Sequence, residues 1–284
     1  MILDTLIQYE APLRLGLFLG VFVLLAVAET WVPRRALLVA KGKRWFANLG
    51  ILFLNVLLVR WMLPAAAVGI ALVAEERGVG LLQLVEWPLW LKIALAVLAL
   101  DLAIYLQHVM FHAVPLLWRL HRMHHADLDF DVTTGTRFHP VEMLLSMLIK
   151  AAVIFVIGAP VAAVLVFEIV LNLAAMFNHS NIRMPAALDA VLRLFVVTPD
   201  MHRVHHSLDA GETNRNFGFN LPWGDRLFGT YRGQPRLGHA GMVIGTPAFR
   251  DEKQCATLDG MLLMPFARPP QDTAVPGEFS GERP

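Results

Sequence analysis

Cysteine is almost missing from this chain of 284 residues, where Cys255 stands alone. One thiol cannot form an internal disulfide, and it cannot build a cysteine-held zinc site or an iron–sulfur cluster. Charge is scarce too. Asp, Glu, Lys and Arg make up 17% of the residues, against about 25% in a soluble domain. The net charge of +1 gives no basic excess, and no nucleic-acid partner is expected. Lysine is rare, 5 against 19 arginines. The opening "MILDTLIQYEAPLRL" lacks a basic n-region, so the first apolar run is expected to stay as an anchor rather than be cleaved. Nucleotide signatures are missing as well. "GVG" at 78–80 is not continued into a dinucleotide fingerprint, and no flavin or haem motif is visible.

What the chain has is apolar length. Hydrophobic residues make up 56%, the mean hydropathy is +0.55, and the apolar residues come in runs long enough to span a bilayer. Four runs stand out: about 15–32, 46–74 (interrupted by Arg60 and Pro64), 87–111 and 144–177 (broken at Gly158-Ala159-Pro160). The loop after the first run carries Arg34, Arg35, Lys41, Lys43 and Arg44 and no acid. The loop after the second carries Glu75, Glu76, Arg77 and Glu86. The positive-inside rule places the first loop in the cytoplasm and the second outside. A fourth run that goes in and returns as a helical hairpin would bring residue 179 back to the cytoplasmic side, and so would two straight crossings.

The chain therefore reads as an all-α polytopic membrane protein with about four transmembrane helical elements and a cytoplasmic helical cap. Residues 1–94 are the N-terminal transmembrane helices and 95–236 the membrane-embedded and cytoplasmic domain that holds the histidine motifs. Residues 237–284 form a C-terminal extension whose end, "ARPPQDTAVPGEFSGERP", is expected to be disordered.

Against this apolar background the eleven histidines are unevenly placed. Six lie in two pentads of one pattern, "HRMHH" at 121–125 and "HRVHH" at 202–206. His108 and His112 are four apart and share a helical face, and within each pentad the histidines fall at i, i+3 and i+4. Neutral imidazole is a common ligand for iron, zinc and copper. Two triads and a pair are enough for two metals. Without a metal, so dense a cluster beside a membrane would repel itself once protonated.

The order H-x3-H, H-x2-H-H and a second H-x2-H-H resembles the fatty acid hydroxylase/sterol desaturase superfamily of membrane di-iron oxygenases. "RFHPVE" (137–142), "NHSNI" (178–182), "NFG" (216–218) and "WGDRLFGTY" (223–231) fall in that family's order, so the likeness covers roughly 95–232. The resemblance implies a dinuclear site held almost wholly by histidine. His108, His112, His121, His124, His125, His202, His205 and His206 match the box positions, and His179 matches a further ligand. Some relatives place another histidine where this chain has Ala175, and His139 is the candidate to fill that role, with a loop cap as its alternative.

Supporting residues follow from spacing. Asp101 and Tyr105 share a stripe with His108 and His112, so Asp101 could orient an imidazole directly or through Tyr105. An ion pair with Arg60 is the alternative. Glu168, Asn172 and His179 share a face, Glu142 is placed to support His139 or to face solvent, and Asp200 is placed to cap the helix of the second pentad. His239 lies outside every motif and is expected at the surface.

The resemblance further implies two iron ions, with zinc able to replace them in purified protein, and O2 as co-substrate. It implies hydroxylation or desaturation of a membrane lipid of the sterol, fatty acyl or sphingolipid class. Electrons must come from outside the chain, from a ferredoxin or b-type cytochrome with its reductase. Seven arginines and no lysine between 181 and 236 offer a docking face for such a donor. A zinc-dependent membrane hydrolase is the alternative, though zinc needs three protein ligands. A metal carrier would thread its ligands through the midplane instead. The arginine bias and the lack of a lysine retrieval signal lean toward a bacterial cytoplasmic membrane, with the metals on its inner side.

Overall fold

The computed structural model describes residues 9–63 and 66–268, and most of the Pro- and Gly-rich tail lies outside that range. Among the described residues there is no β-strand, only three isolated bridges. The helices of the bundle are α1 (Glu10–Trp31), α2 (Lys41–Met62), α3 (Ala66–Glu76), α4 (Leu89–Ala113), α6 (Pro140–Ile157) and α7 (Val161–Asn178). The short α5 (Pro115–His125) follows α4 directly. Beyond α7 come α8 (Ala186–Leu192), α9 (Pro199–His205), α10 (Ala210–Thr213), α11 (Trp223–Leu227), α12 (Gly238–Gly241), α13 (Glu252–Ala256) and α14 (Leu258–Leu263).

Five stretches are long and apolar enough to cross a membrane: α1, the stretch 41–76 that contains α2 and α3, α4, α6 and α7. The protein is an integral membrane protein. Its outer helices show large apolar side chains to the surroundings, with Trp31, Phe46 and Trp61 each about four-fifths exposed, as a lipid-facing surface requires.

The fourth apolar run is a hairpin. Its arms, α6 and α7, have 18 residues each, longer than the apolar run alone suggests, because His139 and Pro140 start α6 ahead of it. At 1.5 Å per residue each arm is about 27 Å long, close to the ~30 Å hydrocarbon thickness. Gly158 ends α6 at φ 63°, a left-handed cap that glycine adopts without strain. Pro160 then opens α7, whose first amide, Val161 N, donates to Glu75 Oε1 at 2.9 Å. The "GVG" triplet has its explanation here. A Cβ on Gly80 would stand 2.2 Å from Gly158 N, so two backbones meet at that point.

The helices pack around α7, which touches α1, α3 and α4, and α6 touches α2, α3 and α4. The arrangement brings the C-terminal ends of α4 and α7, all of α5 and α9, and the residue 126–139 connection to one end of the bundle.

Candidate metal centre

Nine histidines converge at that end, and they form two groups. His108, His112, His121, His125 and His205 make the first; His124, His179, His202 and His206 make the second. Within each group the ligand atoms lie within 4.8 Å of one another. Each pentad serves both groups. On α5 the i and i+4 rings turn to the first group and the i+3 ring to the second. On α9 the i+3 ring joins the first group, while the i ring and the i+4 ring of the C-cap His206 join the second. The groups adjoin, with the rings of His125 and His206 stacked at 4.5 Å and 16°.

Hydrogen bonds fix which nitrogen carries the proton. His108 Nδ1 donates to Phe217 O at 2.8 Å and His205 Nδ1 to Arg215 O at 2.7 Å. His124 Nδ1 donates to Arg137 O at 3.1 Å and His179 Nδ1 to Ala175 O at 2.7 Å. His121 Nδ1 donates to the Glu142 carboxylate at 2.6 Å. A carbonyl oxygen can only accept, so in a neutral ring the Nε2 of each is left as a bare lone pair. Those Nε2 atoms face each other: 2.9 Å for His108 and His205, 3.1 Å for His108 and His121, 3.2 Å for His124 and His179. Two lone pairs at that separation repel. Among the described residues His206 has no protein partner for either ring nitrogen, and Nδ1 of His125 and His202 is also unpartnered. A cation in each group removes the repulsion between the Nε2 lone pairs and gives His206 a partner, and the all-nitrogen donor set fits a transition metal.

The rings are held neutral. Burial first, and then the neighbouring imidazoles, keep His124, His125, His202, His205 and His206 well below the usual imidazole range. Burial takes His179 down to about 3, although its bond to Ala175 O works the other way.

The connection from α5 to α6 supports the second group with buried polar contacts. Arg44 of α2, fully buried, holds Asp127 through two bonds of 2.8 Å and Asp131 through one of 2.6 Å. Burial alone would raise the Asp127 carboxyl, but Arg44 and Arg137 carry it well below the usual carboxylate range. Arg137 donates to Met123 O at 2.8 Å and Asn48 Oδ1 at 3.0 Å, and its own carbonyl takes the His124 proton. Glu29 of α1 accepts from Val132 N and Asn181 N, both at 2.7 Å. Sequence spacing did not single these residues out; the D-x-D-x-D run from 127 to 131, directly after the first pentad, was the available signal.

Other expected residues stand elsewhere. His139 lies outside both groups: its Nδ1 accepts from Val141 N at 3.2 Å as the N-cap of α6, and its Nε2 donates to Leu262 O at 3.3 Å. Both nitrogens are occupied. Glu142 supports His121 rather than His139. Asp101 accepts from Leu221 N at 3.4 Å, and Tyr105 Oη bonds Thr230 Oγ1 at 2.9 Å, so neither reaches an imidazole and Asp101 does not pair with Arg60. Asn172 turns back to Glu168 O at 2.8 Å. Thr198, not Asp200, caps α9; Asp200 instead pairs with Arg34 and Arg203. His239 is buried beside Asp200, 3.5 Å away, because α12 folds back over α9. The seven arginines do not form one face. Arg193 and Arg203 are buried against Asp189 and Asp200, and Arg232 and Arg236 meet Glu212 and Asp209.

The family model for Fatty acid hydroxylase matches residues 93–230, which spans every histidine of both groups. The ornithine lipid hydroxylase of Rhizobium tropici is 30% identical over 53% of this chain and 45% of its own length. The alkylglycerol monooxygenase of Xenopus tropicalis is 31% identical over 51% of this chain and 30% of its own. The human alkylglycerol monooxygenase is 28% identical over 49% and 30%. The chain thus spans less than half the length of each of these curated relatives. No solved structure matches it. The segment that holds both histidine groups matches the fatty acid hydroxylase family and is similar to these lipid hydroxylases.

Proposed function

We propose that this protein is an O2-dependent di-iron oxidoreductase that hydroxylates an unactivated C–H position of a membrane lipid. The observation that supports it most is the set of bare Nε2 lone pairs held face to face in two adjoining groups. His108, His112, His121, His125 and His205 would hold one iron, and His124, His179, His202 and His206 the other. Bound there, the irons supply reduction of O2 and the oxidant that removes hydrogen from carbon.

The chain's own residues orient and shelter that centre. Backbone carbonyls fix the tautomers of His108, His124, His179 and His205, and Glu142 holds the His121 proton at Nδ1. Aromatic side chains shield the rings from water: Phe138 stacks on His124 at 4.6 Å, Trp118 lies 4.9 Å from His112, and Phe217 5.1 Å from His112. A dry centre at the end of a lipid-facing bundle suits an apolar substrate carbon. The same ligand set could serve desaturation, and the names hydroxylase and monooxygenase among the relatives favour the alcohol. A hydrolytic zinc site would need three ligands, which nine converging rings exceed.

The basic loop between α1 and α2 lies at the histidine end, where Arg34 meets Asp200 and Arg44 meets Asp127. The positive-inside rule then supports a cytoplasmic centre. Electrons are assigned to an external ferredoxin or b-type cytochrome with its reductase. Metal analysis, O2 uptake and comparative lipid mass spectrometry with the active and inactivated gene test the reading together. The expected result is bound iron and a lipid heavier by one oxygen. Loss of two hydrogens would make the enzyme a desaturase. Zinc-loaded protein whose lipid change does not need O2 would overturn the reading.

A further inference from the structure

Part of the segment beyond α7 is built inside out for contact with water. In α8 and its exit, the two charged residues, Asp189 and Arg193, pair with each other and are buried. Arg193 also donates to Gly233 O at 2.9 Å. The outward positions are Leu188, Val191, Leu194, Phe195 and Val196. In α11 the acid again turns inward. Asp225 is fully buried and accepts from Phe217 N at 2.8 Å and Gly218 N at 2.7 Å, while Trp223, Leu227 and Phe228 are exposed. Trp223 Nε1 donates to Leu194 O at 2.8 Å, and an Arg226 guanidinium nitrogen to Arg193 O at 3.1 Å. The two short helices therefore present one continuous apolar surface. Water-facing parts of the same region look different: Arg236, Glu252 and Lys253 are exposed and charged.

The depth of this surface says what covers it. α11 does not sit beyond the ends of the spans. Phe228 stacks on Tyr105 of α4 at 5.4 Å, and Leu221 N reaches Asp101. A cavity of about 540 Å³ separates Leu98 and Leu102 of α4 from Trp223 and Leu227. Tyr105 and Leu98 lie seven and fourteen residues before His112, or about 10 and 21 Å down the helix axis at 1.5 Å per residue. That is well inside a helix long enough to cross the bilayer. At the same level Leu98, Leu102 and Leu106 of α4 are exposed. The patch on α8 and α11 is continuous with this lipid-facing side.

We infer that α8, the stretch 194–196 and α11 are seated in the bilayer leaflet, and that the cavity between α4 and α11 opens onto lipid acyl chains. In that setting the inward Asp189–Arg193 pair is what hydrocarbon demands of charge. Trp223 is of the type enriched at the membrane interface, and Arg226 has a long stem that can carry its head toward water.

Collision with paramagnetic quenchers tests this. Leu188→Cys, Leu227→Cys and Lys253→Cys would each be nitroxide-labelled in the full chain, with the buried Cys255 left in place. The protein would be reconstituted in vesicles of phosphatidylethanolamine and phosphatidylglycerol. The O2 collision rate should exceed that of a nickel chelate several-fold at positions 188 and 227, and the order should reverse at 253. Val191→Cys replaces Leu188→Cys if that variant fails to accumulate. A chelate-dominated ratio at 188 or 191 and at 227 overturns the inference. Low rates for both quenchers there would also overturn it, since protein rather than lipid would then cover the patch.

Discussion

The two H-R-x-H-H pentads differ by one residue, Met123 against Val204, yet the fold treats them differently. In the first, two of three rings are oriented from outside: His121 by the Glu142 carboxylate and His124 by Arg137 O. In the second only His205 is so held, by Arg215 O, while His202 Nδ1 and both nitrogens of His206 have no protein partner. The arginines differ too. Arg122 donates to Met264 O and Ala267 O near the C-terminal end of the described chain, whereas Arg203 pairs with Asp200 and donates to Ser180 O beside His179. Identical spacing thus yields one pentad preset by the protein and one that relies more on what it binds.

The largest effect should ignore this difference. His124→Ala and His206→Ala each remove a ring from the second group, and each should abolish lipid turnover and lower bound metal while leaving membrane insertion intact. Metal analysis of both purified variants checks it. A metal-replete, active His206→Ala would break the assignment of the second pentad.

The next largest falls on the preset pentad's support. Arg44→Met leaves Asp127 and Asp131 buried without their cation, a change worth about 3–5 kcal/mol. Thermal unfolding in detergent should report it. A loss below about 1 kcal/mol would mean that the 127–131 segment does not anchor α5.

Acid should act on the metal-free protein in the same direction. Rings held neutral by burial bind fewer protons when folded than when unfolded, so stability is present above the unfolded pKa near 6.5 and falls as pH drops below it. Each such ring steepens the fall by up to about 1.4 kcal/mol per pH unit. The chelator-treated protein should therefore lose melting temperature between about pH 7 and pH 5.5, and metal-loaded protein should lose less. Equal slopes would contradict the bare lone pairs. Glu142→Gln, which keeps an acceptor but removes the charge behind His121, should weaken metal binding about 10- to 100-fold. Among the described residues no charged partner of this kind lies behind the second pentad.

How much of this was legible beforehand follows from what spacing encodes. Steps of three and four put rings on one helical face, so eight of the nine converging histidines could be read from spacing and His179 from the resemblance, and the hairpin at Gly158 was one of the two paths open to the fourth apolar run. Spacing does not say which neighbouring helix a ring will meet. The division of each pentad between two groups depends on where α4 and α7 end, and it was invisible for that reason. Asp127 and Asp131 were not singled out because their partner, Arg44, is more than eighty residues away in sequence. His239 looked like a surface residue because α12 was not foreseen to fold back onto Asp200. Asp189 was not singled out and Arg193 was read only as one of seven arginines, and only their burial exposes the apolar side of α8.

The smallest expected effect concerns His139, which stands between the resemblance and the geometry. Its Nδ1 accepts from Val141 N, so it does for α6 what Thr198 does for α9 through Met201 N. If both are caps, His139→Ala and Thr198→Ala should behave alike, each costing about 1 kcal/mol of stability. His139→Ala should not lower bound metal. Thr198→Ala acts at the start of the helix that carries His202 and His205, so it should loosen the less preset pentad and raise metal release slightly. His139→Ala acts on α6, which carries Glu142, and should reach the centre only through His121. Metal content measured beside the melting temperature separates the roles: a His139→Ala protein that keeps its melting temperature but loses metal would restore His139 as a ligand.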